Sequence, residues 1–421
     1  MHSSLNKVNK MKIIKISIFI IGIFILLILI PDPTSIFQTD QHPINRSAIR
    51  NLTVMLDPGD TFYPDLLQID NDQMVWMANE GFDYEIYFFD HSLDSYNEPA
   101  NIIKISNNSH RDIEPIIHNG KVAWIGNKGP NSQIYYWDGT YTINGTPSDP
   151  KILSGDDYYA AEHAMFKGEV VWTGNNAVYY WNGTYDFNSQ PNKAVIISHP
   201  SRRAYSPEIN ELMVVWREFD GRDYEICFWD KTFYEDGRPI ESKCTDGDYS
   251  AYYPKISDDK VVWQRSDSED SEIYYWDGTY TSDGKIKEIQ LSNNSFDDLS
   301  PQIYKNTVAW PAENQNIYYW DGTKNAKGIP SNPILLSNNT FGSPGIAESG
   351  IVWVGQYNLH TVIYYWDKSF KRNHIPSDPI IISDIESDSS SPEISGNSVV
   401  WKGQYNGNST IYYLDLSLIY H

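Results

Sequence analysis

Cysteine is almost missing from this chain, with two in 421 residues. That excludes a cysteine-rich metal cluster and allows at most one disulfide bridge. Positive charge is scarce as well: 32 Lys and Arg stand against 55 Asp and Glu. Lys7, Lys10, Lys12 and Lys15 precede the first acid, so the rest of the chain is poorer still in cations. A basic patch for nucleic acid or for an anionic membrane surface is thereby excluded. Also absent are a Gly-x-Ser-x-Gly nucleophile elbow, a His-Glu-x-x-His zinc motif and a twelve-residue EF-hand loop. Nothing points to a cofactor. With so many carboxylates, an acid pair for glycoside hydrolysis could be picked from almost any loop and would carry no information.

Long apolar runs are missing too, except for one. Residues 16–30 read ISIFIIGIFILLILI, preceded by the four lysines. The segment 1–30 is expected to be a signal anchor or a signal peptide, entering the membrane through residues 13–30 with its N-terminus inside. No small-residue cleavage site follows, which favours an anchor. Either way the remainder is expected outside the cytoplasm, behind a polar linker at 31–47 containing Pro31, Pro33 and Pro43. Sequons at Asn45, Asn51, Asn107, Asn144, Asn182, Asn293, Asn338 and Asn408 suit an exported chain, or are turn chemistry in their own right.

What the chain does have is tryptophan at a fixed period. Trp76, Trp124, Trp172, Trp216, Trp263, Trp310, Trp353 and Trp401 recur at intervals of 43–48 residues. A second column follows at Phe89, Trp137, Trp181, Trp229, Trp276, Trp320, Trp366 and Leu414. This period predicts a propeller. Each copy reads as four short strands. The first starts after a proline nine residues before the first tryptophan: Pro115, Pro207, Pro254, Pro301, Pro344 and Pro392. A tight turn such as Asn119-Gly120 leads into the Val-Val-Trp strand, then the Ile-Tyr-Tyr-Trp strand, then an Asp-Gly-Thr turn and a shorter strand. The eighth copy lacks its fourth strand, and 51–56 resembles one. The expectation is an all-β, eight-bladed propeller over 48–421, its ring closed by the N-terminal strand.

Pro254, Ile256, Val261, Trp263, Glu272, Ile273, Tyr274, Asp277, Ile289, Leu291 and Ser292 together resemble the TolB-like propeller repeat. The usual Ser-Pro-Asp-Gly turn is replaced, for instance by Ser-Asp-Asp-Lys at 257–260. The likeness is to the repeat and not to TolB itself, for whose additional N-terminal domain there is no room. It implies a binding platform, although some such propellers carry lyase or peptidase activity.

Loops that would share one face include 79–83, 155–162, 219–223, 246–253, 266–270, 293–300 and 384–391, acidic and interleaved with aromatics. They read as a cation or ligand face, or as ordinary strand connections. His110, His163 and His199 fall near the starts of three successive blades and are the only histidine candidates for a metal. Cys227 and Cys244 sit in the third and fourth strands of the fourth copy, about a central turn. They are expected either to form a local disulfide or to be small buried residues in place of Tyr274 and Leu291 of the next copy. The functional expectation is a non-catalytic binding platform for an envelope or surface protein or a glycan. The alternatives are a polysaccharide lyase or hydrolase on the acidic face, and a structural surface-layer component.

Overall fold

The computed structural model describes residues 53–56, 64–79, 81, 83–91, 102–128, 130–405 and 407–419. The expected membrane segment, the linker and the sequons Asn45 and Asn51 lie outside the described residues. Among the described residues no helix is long and apolar enough to cross a membrane.

The fold is an eight-bladed β-propeller. Blades 1 to 7 span 64–104, 111–152, 160–196, 204–244, 251–290, 302–337 and 340–381, and blade 8 combines 390–415 with 53–56. Each blade is an antiparallel sheet of four strands, as in blade 5: Ala251–Ser257, Lys260–Ser266, Ser271–Trp276 and Ile289–Gln290. Thr53–Leu56 pairs with the third strand of blade 8, Thr53 opposite Leu414 and Leu56 opposite Ile411. The ring is therefore closed by strands from the two ends of the chain.

Apolar runs in the second and third strands serve two seams at once. In blade 3, Val170, Trp172 and Trp181 face blade 2, while Val171, Val178 and Tyr180 face blade 4. Strand alternation produces this split, since successive side chains point to opposite faces. Eight buried clusters result, one at each blade–blade seam, with that between blades 8 and 1 formed by Trp76, Phe89, Val400 and Tyr413 among others. All eight first-column tryptophans are at most 2% exposed.

The prolines are not at strand starts as the sequence suggests. Pro254 lies inside Ala251–Ser257, Pro115 inside Arg111–His118, and the first strand starts after its proline only in blade 6, at Gln302. A bulge explains their tolerance. The pairing register slips between Tyr252 and Lys255 in blade 5, and the residue before the proline, Tyr253, has φ 49°. Glu114, Ser206, Ser300 and Ser391 take the same left-handed conformation before their prolines. Proline is accepted at bulges and on edge strands because no ladder donor is needed there. The first strand is the sheet edge in every blade.

The Trp-Asp-Gly-Thr turn after the third strand is held by its own side chains. Asp138 accepts from the Thr140 amide (3.0 Å) and hydroxyl (2.6 Å), and the Trp137 indole donates to the Thr140 carbonyl (3.1 Å). Asn182 does the same for Thr184 in blade 3, so at that sequon the asparagine oxygen is engaged in the turn. Beyond the turn the chain makes a small hairpin before the fourth strand, with bridges such as Tyr141–Pro147 and Lys324–Pro330. The sequence reading contains no such hairpin.

Candidate functional site: two equivalent grooves

The residues Ser-Asn-Asn-Ser-x-x-Asp occur twice, at 106–112 and at 292–298, each linking a fourth strand to the next blade. Both segments fold alike. Ser106 donates to Glu85 (2.5 Å) and accepts from the Ile86 amide (2.8 Å), while the Asn108 amide reaches the other Glu85 oxygen (3.0 Å). Asn108 Nδ2 then donates to Asp112 (2.6 Å), and Asn108 Oδ1 accepts from the His110 amide (2.9 Å). Four blades on, Ser292 and the Asn294 amide hold Glu272 (2.5 and 2.6 Å), Asn294 donates to Asp298 (2.7 Å) and accepts from the Phe296 amide (3.0 Å). The glutamate of the Glu-Ile-Tyr strand is thus a clamp for the following loop.

Each loop forms one wall of a groove. A column of three rings forms the floor: His110, Tyr135 and Trp124 at centroid spacings of 5.8 and 5.8 Å, and Phe296, Tyr318 and Trp310 at 6.1 and 6.2 Å. The returning hairpins supply the opposite wall, at Pro147–Pro150 and Ile329–Pro333. The cavities measure about 310 Å³ between blades 1 and 2 and about 480 Å³ between blades 5 and 6. That is the size range of small-ligand sites. Asn107 and Asn293, both exposed sequon residues, line them.

Three other seams place side chains in the corresponding space. Between blades 2 and 3, Tyr158 stacks on Tyr179 (5.1 Å) and its hydroxyl accepts from Trp172 Nε1 (3.2 Å). Between blades 4 and 5, Arg265 lies over Tyr274 (4.9 Å) and pairs with Glu225 and Glu288. Between blades 3 and 4, Glu218 takes the Trp216 indole (3.1 Å) and the His199 amide (3.0 Å).

Burial governs the acids beneath the grooves. Asp112 and Asp298 are fully buried. Burial pushes Asp112 up to about 7, against the hydrogen bond from Asn108 that favours its charged form. It raises Asp298 as well, and Glu272 to about 7. The grooves offer ring faces with amides and hydroxyls at their rims, the chemistry of recognition.

The three histidines occupy three different settings. His110 lines the first groove, with Nε2 3.7 Å from Asp112. His163 is packed at the seam of blades 2 and 3, with Nε2 3.4 Å from the Ala123 carbonyl, and burial lowers it to about 4. His199 accepts from the Ser201 amide through Nδ1 (3.2 Å). Among the described residues the one cluster of three metal-binding side chains is Glu218, Cys227 and Cys244, which contains none of these histidines. Its two cysteines are bonded to each other (S–S 1.99 Å). Cys227 takes the strand position of Tyr274, but Cys244 faces it as Gln290 faces Tyr274, one place from the Leu291 position suggested by counting along the sequence.

Of the remaining sequons, Asn144 and Asn338 are exposed and Asn408 is half-buried. The framework residues Asn108, Asp112, Asn294 and Asp298 escaped the sequence reading, although the twice-written Ser-Asn-Asn-Ser-x-x-Asp was there to be found.

No family model and no curated protein sequence matches this chain. Solved structures do. The computationally designed Ika8 protein is similar over 86% of this chain and 99% of its own, at 15% identity and a TM-score of 0.53. The propeller domain of the trilobed protease from Pyrococcus furiosus matches 77% of this chain and 99% of its own at 12% identity and a TM-score of 0.48, and an acylaminoacyl peptidase matches 82% and 58% at 13% and 0.46. At these identities the likeness shows the β-propeller fold alone.

Proposed function

We propose that this chain is a non-catalytic binding platform built from TolB-like repeats, working outside the cytoplasm behind its N-terminal segment, with a glycan as the ligand of the two grooves. One observation carries the reading: the same hydrogen-bonded groove is constructed at two seams four blades apart, while the seams between blades 2 and 3 and between blades 4 and 5 are filled. Aromatic floors with amide and hydroxyl rims suit sugar rings, which present apolar faces and hydroxyl edges. Two like seats on one rigid ring suit a repeating polymer, because the second contact becomes intramolecular. The bonded Cys227–Cys244 pair supports an oxidising compartment.

The test is affinity electrophoresis of the full-length chain through gels containing envelope polysaccharides, alongside Asn108→Ala/Asn294→Ala. Retardation by one polysaccharide, reduced in each single variant and abolished in the double, is expected. If no polysaccharide retards the chain while an envelope protein co-purifies with it, the ligand is a protein. A second reading, hydrolysis of the glycan, draws on the near-neutral acid Asp112 beside the first groove. Release of new reducing ends in the same gels would favour it.

A further inference from the structure

The loop face is acidic in sequence, yet four of the ten arginines of the chain, Arg202, Arg203, Arg217 and Arg222, fall within the 21 residues 202–222 that lead into and open blade 4. Two are tied down. Arg202 meets Glu218 (3.4 Å), and Arg222 meets Asp223 (3.3 Å) and the Gly247 carbonyl (2.7 Å). Arg217 is different. Its guanidinium carbon sits 5.4 Å from the ring centre of Tyr205, 5.1 Å from Tyr224 and 5.3 Å from Tyr252. The three tyrosines come from the first and third strands of blade 4 and the first strand of blade 5. Tyr205 is fixed in turn by its hydroxyl, which donates to Asn176 (2.8 Å).

Among the described residues no carboxylate pairs with Arg217, no protein acceptor takes its N–H groups, and its Nε is buried. The corresponding place after the first-column tryptophan holds Met77, Ile125, Thr173, Gln264, Pro311, Val354 and Lys402 in the other blades. Lys402 is paired with Asp65 (3.0 Å). A half-buried guanidinium without an anion is costly, and ring quadrupoles offset only part of that cost. They do hold the planar fork in place with its terminal donors unspent, which is what bidentate oxyanion recognition needs.

We propose that Arg217, caged by Tyr205, Tyr224 and Tyr252, is an anion subsite that takes a carboxylate or sulfate substituent of a sugar. It deepens the glycan reading by requiring charge on the ligand. It stands apart from the grooves, so neutral polymer binding there can survive if the cage binds nothing.

The experiment is a thermal-shift and calorimetric titration of the full-length chain at constant ionic strength with glucose, glucuronate and glucose 6-sulfate. Saturable binding of one or both charged sugars and not of glucose is expected, and the stronger of the two identifies the substituent. Arg217→Met, the residue blade 1 carries there, should bind them at least ~10-fold more weakly, the loss expected for a charge-assisted hydrogen bond. Arg217→Lys keeps the charge and loses the fork, so it should also weaken binding, and it carries the test if the methionine variant does not fold. The proposal is overturned if glucose binds as well as both charged sugars, or if a folded Arg217 variant binds them as the wild type does.

Discussion

Tyr180 of blade 3 meets Trp229 of blade 4 edge-on, with ring centres 5.2 Å apart and planes at 74°. The same contact joins Tyr136 to Trp181, Tyr275 to Trp320 and Tyr319 to Trp366, at 5.0–5.2 Å. Phe88 meets Trp137 in the same way, so five second-column tryptophans make an edge contact with a ring from the blade before, the geometry favoured by the aromatic quadrupole, while Trp276 instead stacks on Phe228 at 4.6 Å and 26°. The Ile-Tyr-Tyr-Trp strand supplies both partners because its residues alternate between two seams.

Truncation in these columns should therefore damage a seam and not just a blade. Trp263 is fully buried and packs with Val215 and Phe228 of blade 4. Trp263→Ala is expected to cost about 3–5 kcal/mol in chemical denaturation. An unchanged unfolding midpoint would remove the seam assignment.

Stability should depend on pH with two opposing slopes. Asp112 has an unperturbed value of 3.8 and is raised by burial to about 7 in the fold. The folded state holds that proton more tightly, so stability is greatest at low pH and falls as pH rises between those values, by at most roughly 4 kcal/mol. His163 acts the other way: its folded value of about 4 lies below the usual 6.5, so stability is full above 6.5 and is lost as pH falls towards 4. Asp112→Asn should make the decline towards pH 7 shallower, the rest coming from Glu272 and other raised acids, and leave the acid limb intact. Denaturation midpoints collected from pH 4 to 8 check this, and an Asp112→Asn curve parallel to wild type would rule out the buried-acid account.

The blade count and seam composition were legible in the sequence, because the tryptophan columns report a pattern of burial that repeats along the chain. The proline positions misled, since a bulge lets proline into the middle of an edge strand, and nothing local in Tyr253-Pro254 announces the bulge. The grooves were half legible: the loop at 293–300 drew notice for its acids, of which only Asp298 belongs to the framework, while Asn294, which holds it, did not stand out. The contrast with the next seams depends on single side chains, Tyr158 between blades 2 and 3 and Arg265 between blades 4 and 5. The Arg217 cage was out of reach, as its four residues lie on four strands of two blades and meet only when the ring is assembled.

Reduction of Cys227–Cys244 offers a separate check. The bridge links residues 17 apart in sequence, across adjacent strands at the seam of blades 3 and 4. Closing a loop of that size stabilises by about 3 kcal/mol on the chain-entropy account. Unfolding with and without reductant, compared with Cys227→Ala/Cys244→Ala, should show a loss of that order in the reduced wild type and in the variant alike. Two titratable thiols in unfolded, unreduced protein would contradict the bridge.

Ring closure brings blades 8 and 1 together from opposite ends of the chain. Asp72 in the first turn of blade 1 accepts from Ser398 (2.5 Å) and from Tyr413 (3.0 Å), and the Asn71 amide donates to Ser395 (2.9 Å). Ser398 and Tyr413 are 2% and 3% exposed, so water cannot easily replace a lost acceptor. The two hydroxyls lie 3.0 Å apart and can bond to each other, so Asp72→Ala leaves one buried donor without an acceptor, at a cost of about 1–3 kcal/mol. That cost should be localised. Amide exchange is expected to quicken in Pro64–Asp70 and Asn408–Asp415, on the two sides of the closing seam, while the seam of blades 3 and 4 keeps its protection. Uniform quickening around the ring would mean that the propeller opens as one unit, and that the contacts between chain ends are no weaker than any other seam.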